Sequence, residues 1–304
     1  MGLVSLANDV GSEMIYPLLP IFLTTVLGAP IAIVGLIEGF AEAIASILKV
    51  LSGWLSDSLG RRKPFVLLGY SLSTCAKLLF ALAYQWPLVF IARSCDRFGK
   101  GLRTSARDAL ISESTPANAR GTAFGLHRAL DTVGAILGPL LALVLWHYTG
   151  HNFRLIFMIA AIPCLFGVIL LAFAVREIRS PKKSTQFALP PLSTSFITFM
   201  MINALFALGN SSEAFILLRA RYLGLSIATT IAVYVLMNTA QSCTSLPAGI
   251  MSDRLGAKKV MALISNATFV DLIEGGEIDI AISPQQATVS SLLRHVRRGD
   301  GRGG

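Results

Sequence analysis

Gly53-Trp54-Leu55-Ser56-Asp57-Ser58-Leu59-Gly60-Arg61-Arg62-Lys63 closes one long apolar stretch of this chain, and Gly249-Ile250-Met251-Ser252-Asp253-Arg254-Leu255-Gly256-Ala257-Lys258-Lys259 closes another. In both, a glycine is followed four residues on by an aspartate, then by a second glycine and a basic cluster. A short charged signature repeated behind two apolar runs marks two blocks of membrane helices, the second starting near residue 190.

Composition agrees with a bilayer protein. Hydrophobic residues make up 54% of the chain and charged ones 14%, too little polar surface to coat a soluble globule of this size. A net charge of +9 would suit a nucleic-acid partner in a soluble protein, but its placement assigns it to topology. The four cysteines, Cys75, Cys95, Cys164 and Cys243, all lie in apolar stretches without a CxxC pair, which predicts neither a disulfide framework nor a metal site. The first apolar segment contains Asp9, Glu13, Pro17 and Pro20 and is too long for a signal-peptide core, so no cleavable signal is expected.

A hydrocarbon core of about 30 Å takes about 20 helical residues. Eight segments reach that length, near 2–27, 31–56, 64–83, 86–111, 121–147, 154–176, 193–218 and 225–252. Turn residues separate them, among them Gly28-Ala29-Pro30, Gln85-Trp86-Pro87, Thr115-Pro116 and Thr149-Gly150. Alternate connections carry Arg61, Arg62 and Lys63, then Lys100, Arg103, Arg107 and Arg120, then Arg176, Arg179, Lys182 and Lys183, then Arg254, Lys258 and Lys259. The opposite set holds only Arg154, Arg219 and Arg221. The rich set is cytoplasmic by the positive-inside rule, which predicts a multi-pass protein of the cell inner membrane with its N-terminus inside. The expected division is a six-helix bundle over 1–179, a Pro- and Lys-containing linker over 180–192, two helices of a second bundle over 193–260, and a non-membrane tail over 261–304.

Within the signature, Gly53 permits close helix approach and Gly60 suits the left-handed residue that ends a helix. Asp57 can accept from basic neighbours or cap a facing helix, while Arg61, Arg62 and Lys63 are expected to meet lipid headgroups. Gly249, Asp253, Gly256 and Lys258 repeat these roles.

With these residues the chain resembles the major facilitator superfamily, which bears this motif between helices 2 and 3 and again between helices 8 and 9. Arg93-Ser94-Cys95-Asp96-Arg97-Phe98-Gly99-Lys100-Gly101 looks like that family's helix 4 motif, with Arg97 where a glycine is usual. Pro116 to Gly125 looks like its connection between helices 4 and 5. Gly134, Gly138 and Pro139 are similar to the start of its antiporter motif on helix 5, without the glycine pair that follows. The resemblance covers about residues 1–260. It implies an all-α membrane protein and a secondary transporter of small molecules, proton-coupled and efflux-type, whose substrate the sequence does not name. The family has twelve helices and this chain supplies six plus two, so a product truncated after helix 8, with transport lost, is the expectation that stands beside an active transporter.

Ionisable residues at membrane depth are costly, on the order of 3 kcal/mol or more each at mid-depth, unless paired or hydrated. Asp9 and Glu13 share a face of the first segment, Glu38 and Glu42 a face of the second. Arg93, Asp96 and Arg97 lie on the fourth, and His127, Arg128 and Asp131 on the fifth. Together with Glu213 on the seventh they form a candidate proton and substrate pathway. Glu13, Arg97 and Asp131 fall nearest mid-depth, and Arg97 and Asp131 are expected to face each other, either as a structural ion pair or as part of the pathway. Lys49 and Lys77 are expected to pair with acids or snorkel. Pro17, Pro20 and Pro163 are expected to kink their helices, for gating or for packing alone.

Beyond Lys259 the apolar pattern fails. Residues 265–304 read as soluble structure, a strand at Ile278–Ile282 and a helix opened by Ser283-Pro284-Gln285-Gln286. Residues 257–299, notably Val270 to Gly276 and Ile278 to Thr288, resemble a piece of the peripheral nucleotide-binding subunit of Trk potassium-uptake systems. The glycine-rich dinucleotide fingerprint is missing there, so no NAD or other cofactor is expected. The alternative reading is therefore a non-functional fusion product or a membrane-anchored fragment of a potassium-uptake regulator. His127, His147, His151 and His295 have no nucleophile motif near them, and no enzyme, metal site or nucleic-acid partner is expected. The partners expected are the bilayer, protons and a small molecule.

Overall fold

The computed structural model describes residues 1–116, 119–177 and 212–240, with residues 197, 200, 201, 203 and 204. Among the described residues the following helical segments are bounded. α1 runs Gly2–Ile15, turns at residues 16–18, and continues as Leu19–Ile21 and a π-helical turn Phe22–Val26. Then come α2 (Ile31–Leu59), α3 (Lys63–Ala81), α4 (Trp86–Ser114), α5 (Arg120–Tyr148), α6 (Phe153–Ala174), α7 (Glu213–Tyr222) and α8 (Ile227–Ala240). Through residue 176 the boundaries agree with those expected to within three residues.

The helix ends follow local chemistry. Pro64 and Pro87 occupy first-turn positions of α3 and α4, where a missing N–H costs nothing. Gly60 closes α2 at φ 63° and ψ 25°, the left-handed cap expected of it. Asn152 caps α6 by accepting from Leu155 N. The expected break in α1 is present: Pro17 and Pro20 lack the N–H groups that a continuous ladder needs, and Leu27 N reaches back five residues to Phe22 O. Pro163, by contrast, lies within an unbroken α6.

One expected span is corrected. The run 193–218 is not a single helix, because Ser212 is an N-cap in extended geometry whose Oγ accepts from Ala214 N, and α7 starts there and ends at Tyr222. Small polar residues favour caps over helix interiors, and Gly209-Asn210-Ser211-Ser212 carried that signal in the sequence.

Among the described residues, α2, α3, α5 and α6 are long and apolar enough to cross a membrane. α4 has the length, 29 residues, but carries Arg93, Asp96, Arg97, Lys100, Arg103, Arg107, Asp108 and Glu113. Arg93, Asp96, Arg103 and Arg107 are buried, so α4 hides charge inside the bundle and turns the usual inside-out pattern of a membrane helix to a polar interior.

The helices alternate in direction, and their apolar core gathers at the end away from the signature. Met14, Leu18, Phe22, Ile37, Phe80, Val89 and Phe157 meet there, with Ala214, Leu218 and Ile231 of α7 and α8. A smaller cluster, Val4, Val66, Tyr70, Ala106 and Leu171, lies toward the signature end. Residues 1–183 and 212–242 form one compact unit. The other comprises residues 184–211 and 243–304, of which residues 197, 200, 201, 203 and 204 are helical. The expected strand, the tail helix and the second signature, Gly249, Asp253, Gly256 and Lys258, lie outside the described residues.

Candidate functional site

Two rungs of opposite charge join α2 to α4. Glu38 Oε2 lies 2.7 Å from Arg93 Nη2, and one turn along, Glu42 Oε2 lies 3.9 Å from Arg97 Nη1. Both pairs are spaced i,i+4 on their helices, so two parallel ridges meet charge to charge. Arg93 also approaches Asp96 Oδ2 at 3.8 Å, and Asp96 Oδ1 takes a 2.6 Å hydrogen bond from Lys77 Nζ on α3. Lys77 therefore pairs with an acid, as its sequence position suggested. Such pairs at depth are not a source of net stability, but removing one partner strands the other and costs about 3–5 kcal/mol.

Glu13 stands apart from the ladder. Its Oε2 accepts a 2.8 Å hydrogen bond from Tyr234 Oη on α8. The Tyr234 ring lies 5.4 Å from that of Tyr16, over which the Arg93 guanidinium sits at 5.3 Å. The chain Glu13, Tyr234, Tyr16, Arg93, Glu38 thus crosses α8, α1, α4 and α2. Sequence reasoning missed Tyr234, since a lone tyrosine in an apolar helix carries no pattern. Glu213 opens α7 in its first turn beside the Ser212 cap.

The helix 5 glycines explain how α1 brings its acids inward. A Cβ on Gly138 would stand 2.6 Å from Val10 O and 2.7 Å from Glu13 Cβ, and one on Gly134 would stand 3.0 Å from Asp9 Cβ. Only glycine lets the two backbones approach this closely. Pro139 follows inside α5 without ending it.

The expected partnership of Arg97 with Asp131 is not formed. Arg97 shares the α4 face of Arg93 and turns to α2, whereas Asp131 lies on the α1-facing side of α5 one turn before Gly134. Asp131 Oδ2 is 3.6 Å from His127 Nε2 and 3.7 Å from Arg128 Nη1, both on its own helix. Depth along a helix was legible, but azimuth was not.

At the signature, Gly53 lies against Ser105 of α4, with a Cβ there 3.3 Å from Ser105 Cβ. Arg62 turns inward instead of toward headgroups: it is 5% exposed, paired with Asp57, hydrogen-bonded to Ser56 Oγ at 2.8 Å and bridged to Glu113 at 3.0 Å. Burial opposes its charge, yet the hydrogen bonds to Glu113 and Asp57 outweigh that and raise its pKa above the ordinary arginine value. Lys63 is likewise engaged, donating from Nζ to Ala172 O at 2.7 Å. The carboxylate of Glu177, past the end of α6, accepts from Arg62 N at 2.8 Å and Lys63 N at 3.1 Å, an acid at a helix N-terminus. Arg61 alone of the three basic residues is exposed. Among the described residues no group of His, Cys, Asp or Glu side chains could hold a metal ion.

The Major Facilitator Superfamily profile matches residues 1–209. An uncharacterised MFS-type transporter of Methanocaldococcus jannaschii is 41% identical over 272 residues, 86% of this chain and 68% of that protein. Among solved structures, a bacterial homologue of the human lysosomal transporter Spinster, in an inward-facing and occupied conformation, superposes with a TM-score of 0.68 at 17% identity. That match covers 86% of this chain, which spans 62% of the solved protein's length. A short segment is of different likeness, 64% identical over 56 residues to the Trk system potassium uptake protein TrkA of Halomonas elongata, 18% of this chain and 12% of that one. A profile match over more than half the chain, a relative at 41% identity and the observed helical architecture agree, and the chain belongs to the major facilitator superfamily, as a multi-pass membrane protein of a transporter family.

Proposed function

We propose that the protein performs secondary active transport of small molecules, coupled to protons and directed outward, from a cell inner membrane in which its N-terminus and signature are cytoplasmic. The observation that carries this reading is Glu13, a carboxylate inside the bundle that accepts from Tyr234 of the second helical block at 2.8 Å. Ionised, Glu13 is an acceptor only; protonated, it becomes a donor and holds the tyrosine hydroxyl less strongly. One proton therefore changes the grip between α1 and α8, which is what coupling requires. Asp9, Glu38, Glu42, Arg93, Asp96, Arg97, Asp131 and Glu213 complete the pathway around it. The outward direction is supported by the likeness of Gly134, Gly138 and Pro139 to the antiporter motif. The division into a bundle over 1–179, a linker over 180–192, two helices over 193–260 and a tail over 261–304 belongs to the same proposal.

Membrane vesicles carrying the protein and an imposed pH gradient test it. Addition of a transported compound should collapse the gradient, and Glu13→Gln should abolish that collapse while the protein stays folded. Undiminished coupling in E13Q would overturn the role given to Glu13.

The segment similar to TrkA supports a second reading, a membrane-anchored piece of a potassium-uptake regulator without transport of its own. Growth of a potassium-uptake-deficient bacterium on limiting potassium, restored by this chain, would favour it over the first.

A further inference from the structure

The ladder between α2 and α4 runs out of acids before it runs out of bases. On α2, Glu38 and Glu42 are followed on the same face by Ala45, which is fully buried, and then by Lys49; on α4, Arg93 and Arg97 are followed on the same face by Lys100. Close backbone approach fixes the register there. A Cβ on Gly101 would stand 2.9 Å from Ala45 O and 2.6 Å from Leu48 Cβ, while Ser52 Oγ donates to Gly101 O at 2.9 Å and Ser105 Oγ to Lys49 O at 2.7 Å. The third rung therefore sets Lys100 at the level of an alanine, with Lys49 one turn further on.

Lys100 is the middle residue of α4, Trp86–Ser114, so its charge stands at the depth where a bilayer opposes it most. The charged groups that bear on it are Arg97, Glu42, Lys49 and Arg103, three cations against one acid. Among the described residues its Nζ makes no hydrogen bond or ion pair. Arg97 is little better served: Glu42 lies 3.9 Å away, beyond hydrogen-bond reach, and the Arg97 Nε is buried without a partner. The Glu42 side chain is 43% exposed, and an ionised group at this depth faces water or a partner, so the rung opens to a wet side. Two bases with donors to spare and too few acids between them call for a negative charge that comes and goes.

We propose that Arg97 and Lys100 hold the transported molecule by a carboxylate or phosphate group, which makes the substrate class a small organic anion; this rests on the transport reading above. The planar fork of Arg97 presents Nε and an Nη along one edge and matches two oxygens of either group, and Lys100 adds a point charge beside it. A lipid headgroup is a poor source of that anion, because Lys100 lies about 21 Å along α4 from each of its ends. The outward direction suits the charge as well, since an interior-negative membrane potential drives an anion out.

Thermal unfolding of the full chain in nanodiscs of neutral lipid, with succinate, phenyl phosphate or tetraethylammonium added at matched ionic strength, reads the site without a pH gradient. At least one of the two anions should raise the midpoint by about 3 °C or more. Lys100→Met should remove that rise, and Lys100→Arg, which keeps the charge, should retain it. Without added anion, K100M should melt above the wild type, because it removes a cation crowded by Arg97; a lysine held by a structural acid would give the opposite sign. No rise with either anion, a rise that K100M leaves intact, or a lower midpoint for K100M in the absence of anion overturns the proposal. Failure here is distinguishable from failure of the transport reading: a rise that needs Lys100 beside vesicles without proton-coupled flux keeps the anion site and sinks that reading, whereas proton-coupled flux of an organic cation with no rise does the reverse.

Discussion

Glu38 and Arg93 meet at 2.7 Å between α2 and α4, and the next turn of each helix repeats the meeting with Glu42 and Arg97 at 3.9 Å. The longer rung is also the more open, since the Glu42 side chain is 43% exposed and that of Glu38 13%. The energetic weight therefore falls on the first rung.

Arg93→Glu alone should lower the stability of the detergent-solubilised protein by about 3–5 kcal/mol, by placing like charges together at a buried site. The double variant Glu38→Arg/Arg93→Glu should recover part of that in thermal unfolding. The same exchange at Glu42 and Arg97 should cost less than about 1 kcal/mol. Equal losses at both rungs would contradict the ranking.

Tyr234→Phe removes one hydroxyl and keeps the ring against Tyr16. It should cost about 1.5–3 kcal/mol, the range for hydrogen bonds to charged groups. In the Glu13→Gln background the same substitution should cost about half as much. A double-mutant cycle with no coupling between the two positions would mean that the bond does not form in the membrane.

Glycines on α5 should divide sharply under alanine substitution. Gly138→Ala places a methyl 2.6 Å from Val10 O and should destabilise by about 1–3 kcal/mol through overpacking. Gly125→Ala meets nothing within 4 Å and should be neutral or stabilising by up to about 1 kcal/mol, from helix propensity. Thermal melts of the two variants side by side check this.

Orientation can be read with a membrane-impermeant thiol reagent on intact cells. In a Cys75→Ser background, His151→Cys should be labelled and Arg61→Cys should not; both positions are exposed in the fold. Labelling of Arg61→Cys alone would place the N-terminus outside.

The spans were legible because hydropathy and turn residues act locally: Gly60, Pro64 and Pro87 mark their own helix ends. Charge pairing was half legible. The i,i+4 spacing of Glu38 with Glu42 and of Arg93 with Arg97 announced two faces, but which face met which depends on helix rotation, which is set by backbone contacts such as Gly138 against Val10. That is why depth along the helices points Arg97 to Asp131, whereas the fold gives it Glu42. Arg62 departs from its expected place at the headgroups for a related reason. Its basic neighbours suggested headgroups, while Glu113 and Glu177, the acids that draw it and its backbone inward, lie 51 and 115 residues away in sequence. Tyr234 and the Ser212 break show the other limit: one tyrosine among apolar residues, or one serine among several, is a weak sign until a partner stands opposite.

The interruption of α1 at Pro17 and Pro20 gives that helix a joint. Below it, Gly2–Ile15 is a stiff rod, pinned by the α5 glycines at Asp9 and Glu13; above it, Leu19–Val26 sits among the side chains that α7 and α8 contribute to the apolar core. Proline has no N–H to surrender, so the upper piece can swing with α7 and α8 without tearing the ladder of the lower one. Tyr16 and Glu13 sit just beneath the joint, and Tyr234 ties both to α8. The carboxylate and its hydroxyl partner thus stand on opposite sides of the joint, so a change of a few ångströms there would make or break one hydrogen bond.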